Sequence, residues 1–194
     1  MTPRLYLLSP EHIEHPAIFA GDLRAALDGG DVAAFQLYLP DADDALLARV
    51  ADALRPVCQQ RDVAFLLGGR PDLAVKLDCD GVQVDVEGYA EARRIVGPQR
   101  QVGVLSPASR HLAMDAAEAG ADYVAFASNE LELIEWWSGL FEIPCVAAGG
   151  ITLGNVEPLI AAGVDFLAVG GGVWKHKDGP EAAVRAFNEL FDRR

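Results

Sequence analysis

Pro144-Cys145-Val146-Ala147-Ala148-Gly149-Gly150-Ile151 and, further on, Asp165-Phe166-Leu167-Ala168-Val169-Gly170-Gly171-Gly172 decide the fold of this chain. Pro144 to Ala148 and Asp165 to Val169 are apolar without period-2 alternation and are bounded by Gly and Pro, the pattern of strands buried on both faces in a parallel sheet. Each run ends in glycines where a helix should begin. Glycine lets the backbone approach a ligand closely, and a helix N-terminus attracts anions through its unpaired donors and its dipole. Two such turns side by side predict a phosphate cup.

Working outward, further strand-like runs lie at Leu5 to Leu8, Val32 to Leu39, Val63 to Leu67, Gly81 to Asp85, Gln101 to Leu105 and Asp122 to Ala127, which makes eight. Between them stand segments with helical spacing. Asp43 to Gln60 carries Leu46, Leu47, Val50, Leu54 and Val57 on one face, Ala108 to Ala119 is alanine-rich, and a final helix is predicted over Pro180 to Phe191. Glu130 to Glu142, with Trp136-Trp137, reads as a helix on weaker spacing. Asp41 is read as the cap of the helix containing Leu46, Ser106-Pro107 as an N-cap with proline at the first position, and Gly120 and Gly163 as C-terminal glycines.

Eight alternations in 194 residues leave about 24 residues per unit, near the smallest length that closes a barrel. An α/β fold, a (β/α)8 TIM barrel forming one domain over residues 1–194, is the expectation. A doubly wound open sheet also satisfies the alternation. The barrel is favoured because both glycine turns fall in the last two units, where such barrels commonly hold phosphate.

Composition bounds the partners. With 51% apolar residues the chain can bury one sizeable core. Sixteen Lys and Arg against 29 Asp and Glu give a net charge of −13, which repels phosphodiester backbones, so nucleic acid is not expected as a partner. No apolar run reaches membrane-spanning length and Met1-Thr2-Pro3-Arg4-Leu5 lacks a signal-peptide pattern, so a cytoplasmic protein without membrane attachment is expected. Cys58, Cys79 and Cys145 are odd in number and widely spaced, which predicts reduced core thiols rather than disulfides or a zinc site. A homodimer is left open.

Chemistry in a barrel sits at the C-terminal ends of the strands. The candidates for phosphate binding are Gly149, Gly150, Gly170 and Gly171; those for acid, base or hydrogen-bonding roles are Asp85, Ser106 and His176. Lys175 or Lys177 could neutralise a phosphate, and a solvated basic turn fits them equally. Glu11, His12, Glu14 and His15 follow no defined metal spacing and read as a solvated loop or helix start. Asp85 with Glu87 could meet a magnesium diphosphate, against which stands the simpler role of a single pocket or capping carboxylate.

The ordered set Phe35-Gln36-Leu37, Pro71-Asp72-Leu73-Ala74, Asp80-Gly81-Val82-Gln83, Gly103-Val104, Ala119-Gly120-Ala121-Asp122-Tyr123-Val124, Ile143 to Ile151 and Ala162 to Val169 resembles the thiamin phosphate synthase family and its thiazole tautomerase relatives over nearly the whole chain. The resemblance implies a reaction that joins a pyrimidine methyl diphosphate to a thiazole phosphate, with magnesium and basic residues stabilising the departing diphosphate. It also implies phosphate binding by amides near Gly150, Gly170 and Gly171. Several positions depart from the family pattern. Gln-x-Arg-x-Lys is here Gln36-Leu37-Tyr38-Leu39-Pro40, the Asn-Asp pair is Gly68-Gly69 although Arg70 remains, the later metal-binding Asp falls near Gly88, and the Lys-terminated loop after strand six shrinks to Ala127-Ser128-Asn129-Glu130.

At about 3 kcal/mol per lost charge-stabilising group, coupling would slow by many powers of ten, so ordinary synthase activity is expected to be weak or absent and the magnesium ligands to be lost. The expected ligand is a small phosphorylated heterocycle, a thiazole phosphate or thiamin phosphate, with no other cofactor implied. Three roles stay open: a thiazole tautomerase, a non-catalytic binding or regulatory barrel, and a different phosphosugar isomerase barrel whose paired catalytic carboxylates are not evident.

Overall fold

The structure is a computed structural model that describes residues 2–106 and 108–193. Its strands are β1 (Arg4–Leu8), β2 (Val32–Leu37), β3 (Ala64–Gly68), β4 (Gly81–Asp85), β5 (Gln101–Leu105), β6 (Tyr123–Ala127), β7 (Cys145–Ala148) and β8 (Phe166–Val169). All neighbours are parallel, and β8 pairs back onto β1 through Arg4↔Phe166 and Leu7↔Val169, which closes the barrel and excludes the open sheet. The helices are α1 (Pro16–Asp28), α2 (Asp44–Gln59), α3 (Pro71–Lys76), α4 (Tyr89–Val96), α5 (Arg110–Glu118), α6 (Leu131–Leu140), α7 (Glu157–Ala161), α8 (Gly171–Trp174) and α9 (Pro180–Asp192), with a 3-10 turn at Val86–Gly88.

The missing alternation in the strands has a packing cause. Outward residues such as Leu5, Leu7, Phe35, Phe65 and Phe126 meet the helices, while inward ones such as Ala34, Ala125 and Ala168 fill the barrel with Tyr6, Leu66, Tyr123 and Val146. Both faces are buried, so both are apolar. The two inward tyrosines fit because their neighbours are small. A Cβ on Gly103 would lie 1.9 Å from the Tyr123 ring, so the β5 glycine is the slot that the β6 ring occupies.

At the N-terminal end of the barrel one clamp recurs three times. Asp80, Asp122 and Asp165 each stand just before or at the start of a strand. Each donates its backbone N–H to a carbonyl opening the preceding strand, Phe65, Val102 and Cys145 respectively, at 2.9, 3.0 and 3.2 Å. Each carboxylate then accepts the N–H of that same residue at 2.7, 2.7 and 2.8 Å. This two-point contact satisfies an otherwise orphaned strand-end donor and sets the register between adjacent strands.

Two capping expectations are corrected. The cap of α2 is Asp43, whose carboxylate accepts from Leu46 N at 2.8 Å, because a capping side chain must stand directly before the first helical residue to reach the third amide; Asp41 lies too early. The cap of α5 is Ser109, bound by Leu112 N at 3.3 Å, whereas Ser106 prolongs the β5 ladder by donating its N–H to Ala125 O at 2.9 Å. Pro107 lies outside the described residues. Gly120 and Gly163 follow α5 and α7 with φ of +98° and +84°, as C-terminal glycines should. Among the described residues no helix is long and apolar enough to cross a membrane.

Asp165→Ala, which strands the Cys145 N–H, should cost about 1–3 kcal/mol in chemical denaturation, while Asp165→Asn, which keeps an acceptor, should cost less than half of that. The three cysteines are free and buried, and burial pushes each thiol up to about 12. Native protein at pH 8 should therefore leave a disulfide-exchange reagent unreacted over a time in which urea-unfolded protein titrates three thiols.

Candidate active site

The two glycine turns meet. Beyond β7, Gly149 and Gly150 take φ of +104° and +61°, a left-handed path that side chains with a Cβ resist. The hydroxyl of Ser128 donates to the Gly149 carbonyl, and Asn155 Nδ2 donates to the Gly150 carbonyl at 2.9 Å while its Oδ1 accepts from Thr152 N at 2.8 Å. Both glycine carbonyls are thus held by side chains of the flanking loops. Beyond β8, Gly170 opens α8, with its carbonyl accepting from Val173 N and Trp174 N. Trp174 Nε1 donates to Leu8 O at 2.6 Å, so the helix is fastened to the end of β1. A Cβ on Gly172 would lie 2.5 Å from Ile151 O, which shows how closely α8 rides on the β7 turn.

Gly149, Gly150, Gly170 and Gly171 line one cavity of about 770 Å³, joined by Ser9, Thr152 and Lys175. The first amides of α8 have no acceptor within the helix, and Lys175 adds a cation. This corner suits an anion, although Glu11 also reaches its rim.

A second compartment of about 400 Å³ adjoins it, sharing Leu8, Ser9, Glu11 and Ala168. Its walls include Gln36, Tyr38, Gly68, Gly69, Gln83 and Asp85. Beneath it lies a polar cluster inside the barrel: Tyr6 Oη stands 2.8 Å from Gln36 Oε1 and 3.0 Å from Tyr123 Oη, which stands 3.2 Å from Gln83 Oε1, and the single proton on each hydroxyl makes two of these three contacts hydrogen bonds at a time. Burial pushes Tyr6 well above the usual tyrosine range and raises Tyr123 as well, so both remain neutral donors. Neither tyrosine was singled out from the sequence. The signal was available, since a tyrosine inside an apolar strand needs a partner for its hydroxyl.

Of the proton-transfer candidates, Asp85 alone lines either compartment; it ends β4 and its carboxylate caps nothing. Ser106 is buried at the end of β5, and His176 lies beyond α8, where its Nδ1 accepts from Asp178 N at 3.3 Å. Arg70, the cation left after β3, is drawn to Asp44 at 2.6 Å and to Asp72 at 3.6 Å. Lys177 is exposed and pairs with Asp178 at 3.8 Å. Glu11, His12 and Glu14 share a hollow with Arg49 at the barrel rim, and Glu11 and His12 also line the cavity of the glycine turns.

Magnesium commonly takes one or two protein carboxylates and completes its shell with substrate phosphate and water. Among the described residues no three His, Cys, Asp or Glu side chains come within reach of one ion, and Asp85 and Glu11 are the hard oxygen donors on the second compartment. The described lining of that compartment includes no Lys or Arg to balance a diphosphate.

A closed parallel barrel whose last two crossovers wrap glycine turns around one cavity belongs to the broad class of (β/α)8 barrels with a C-terminal-face binding site. Within that class, the family model described as thiamine monophosphate synthase matches residues 5–173, and the chain belongs to that family. A thiamine-phosphate synthase of Rhodospirillum centenum is 51% identical, with 97% of each chain covered, and one of Hyphomonas neptunium is 42% identical over 97% of this chain and 94% of its own. Among solved structures, thiamine phosphate pyrophosphorylase from Pyrococcus furiosus superposes with a TM-score of 0.86 at 26% identity, covering 99% of this chain and 96% of that one. Orotidine 5′-monophosphate decarboxylase from Methanocaldococcus jannaschii, at TM-score 0.76 and 13% identity over 99% and 100% of the two chains, shares the fold alone.

Gly172→Ala should lower the melting temperature by several degrees, because its methyl would collide with the Ile151 backbone. Gly154→Ala, whose methyl would sit 3.7 Å from Thr152 Oγ1, should leave it nearly unchanged in the same thermal scan.

Proposed function

We propose that this chain acts in thiamin metabolism by holding a phosphorylated heterocycle of the thiazole class, with the phosphate at Gly149, Gly150, Gly170 and Gly171 and Lys175 as counter-charge. The meeting of both glycine turns on one cavity carries this reading. Family membership and the relatives named thiamine-phosphate synthase support the pathway. Coupling to a pyrimidine diphosphate is expected to be slow, because the second compartment offers two carboxylates and no Lys or Arg for the leaving group.

Asp85 favours one further reading. A carboxylate at a strand end beside the ligand compartment can carry a proton to or from a thiazole carbon, which is what tautomerisation asks for and needs no diphosphate site.

Calorimetric titration with thiazole phosphate, followed by turnover assays with and without magnesium, tests both. Binding of thiazole phosphate with little coupled product is the expected result; rapid magnesium-dependent thiamin phosphate formation would refute the slow-coupling part. For tautomerisation, Asp85→Asn should lower the rate by about a hundredfold or more. A rate unaffected by that change removes Asp85 from the chemistry.

A further inference from the structure

The glycines beyond β7 give the turn more freedom than a binding site can use. Gly149 and Gly150 each accept positive or negative φ at little cost, so the peptide units on either side of Gly150 could present carbonyl oxygens or N–H groups to the cavity. In a trans peptide the carbonyl of one residue and the N–H of the next point in opposite directions. Whatever holds the Gly149 carbonyl therefore aims the Gly150 N–H, and whatever holds the Gly150 carbonyl aims the Ile151 N–H.

Both carbonyls are held from outside the cavity. Ser128, the first residue beyond β6, donates its N–H to Ala148 O at 2.7 Å and its hydroxyl to Gly149 O, so it prolongs the pairing of β6 with β7 and then takes the next carbonyl as well. Asn155 Nδ2 donates to Gly150 O at 2.9 Å. Its Oδ1 accepts from Thr152 N at 2.8 Å and from Thr152 Oγ1 at 3.3 Å, and because the Thr152 N–H can only donate, it fixes which end of the amide faces the glycine. Gly149, Gly150 and Ile151 line the cavity of about 770 Å³, whereas Ser128 and Asn155 are not among its lining residues. The carbonyls are thus drawn to the protein side and the N–H groups of Gly150 and Ile151 to the ligand side. Among the described residues neither N–H has an acceptor.

We propose that Ser128 and Asn155 are positioning residues for the anion corner, which rests on the reading that phosphate lies at the glycine turns. They act through the backbone. With both latches closed the turn offers two N–H donors to an oxyanion; with either released, a peptide unit can rotate and offer its carbonyl oxygen instead. The short Ala127-Ser128-Asn129-Glu130 link between β6 and α6, one of the departures from the family pattern, so has a use of its own: it sets a hydroxyl against the Gly149 carbonyl.

The full chain is titrated calorimetrically with inorganic phosphate and with thiazole phosphate, and the Gly150 and Ile151 amides are followed by backbone NMR. In the unsubstituted protein both amide resonances should move downfield as phosphate is added. Ser128→Ala and Asn155→Ala should each weaken phosphate binding about threefold or more and should broaden the two resonances, while Ser128→Thr, which keeps a hydroxyl, should stay within about twofold of the unsubstituted protein. Ser138→Ala removes a matched hydrogen bond, from a serine hydroxyl to the Ala162 carbonyl at 2.6 Å, away from the cavity, and should leave affinity unchanged. Resonances at 150 and 151 that stay in place while phosphate binds, full affinity in both Ser128→Ala and Asn155→Ala, or an equal loss in Ser138→Ala overturns the proposal and leaves the phosphate corner standing. The first of these outcomes needs no substitution and so holds whether or not a variant folds. Failure of the unsubstituted protein to bind either ligand overturns the phosphate corner and this proposal together.

Discussion

Closing eight strands of four to six residues each into a ring leaves little freedom in how adjacent strands slide, and the paired contact made by Asp80, Asp122 and Asp165 is what removes it. Each aspartate binds both backbone groups of one residue on the preceding strand, so a slip by one position would break two hydrogen bonds and turn every side chain of the strand to the wrong face. The glycine turns at the opposite rim inherit their positions from that registration. Their spacing is a property of the barrel rather than of the loops that form them.

The interior follows the same logic. Small inward residues leave room for two tyrosines, and the tyrosines bring polar atoms into a space that alanine alone would leave apolar. Their hydroxyls are neutral and lie against the amides of Gln36 on β2 and Gln83 on β4, both of which line the second compartment. A charged group in that place would have cost far more to bury.

Most of the fold was readable from residue order, because the strand runs are bounded by Gly, Pro and Asp and have no polar face to blur them. The position of the glycines at 149, 150, 170 and 171 just beyond two strands was readable for a related reason, and the structure adds that the two turns line one cavity. Caps at Asp43 and Ser109 were misplaced by two or three positions, which is the scale on which a helix start depends on backbone geometry instead of residue type. The approach of Tyr38 to Gly68, where a Cβ would lie 2.6 Å from the tyrosine ring, could not be seen in sequence at all. It exists because β2 and β3 pair with Leu37 opposite Leu67, which carries the next residues side by side. Likewise, Ser106 and His176 were picked out by their place after a strand, and nothing in their order shows whether their side chains turn toward the mouth.

The indole of Trp174 reaches the Leu8 carbonyl across a separation of 166 residues. Because β1 also pairs with β8, its second edge stays unpaired during synthesis until nearly the whole polypeptide has emerged. A nascent chain halted before the last crossover would lack Gly170, Gly171 and Lys175, and with them one side of the cavity that the glycine turns share.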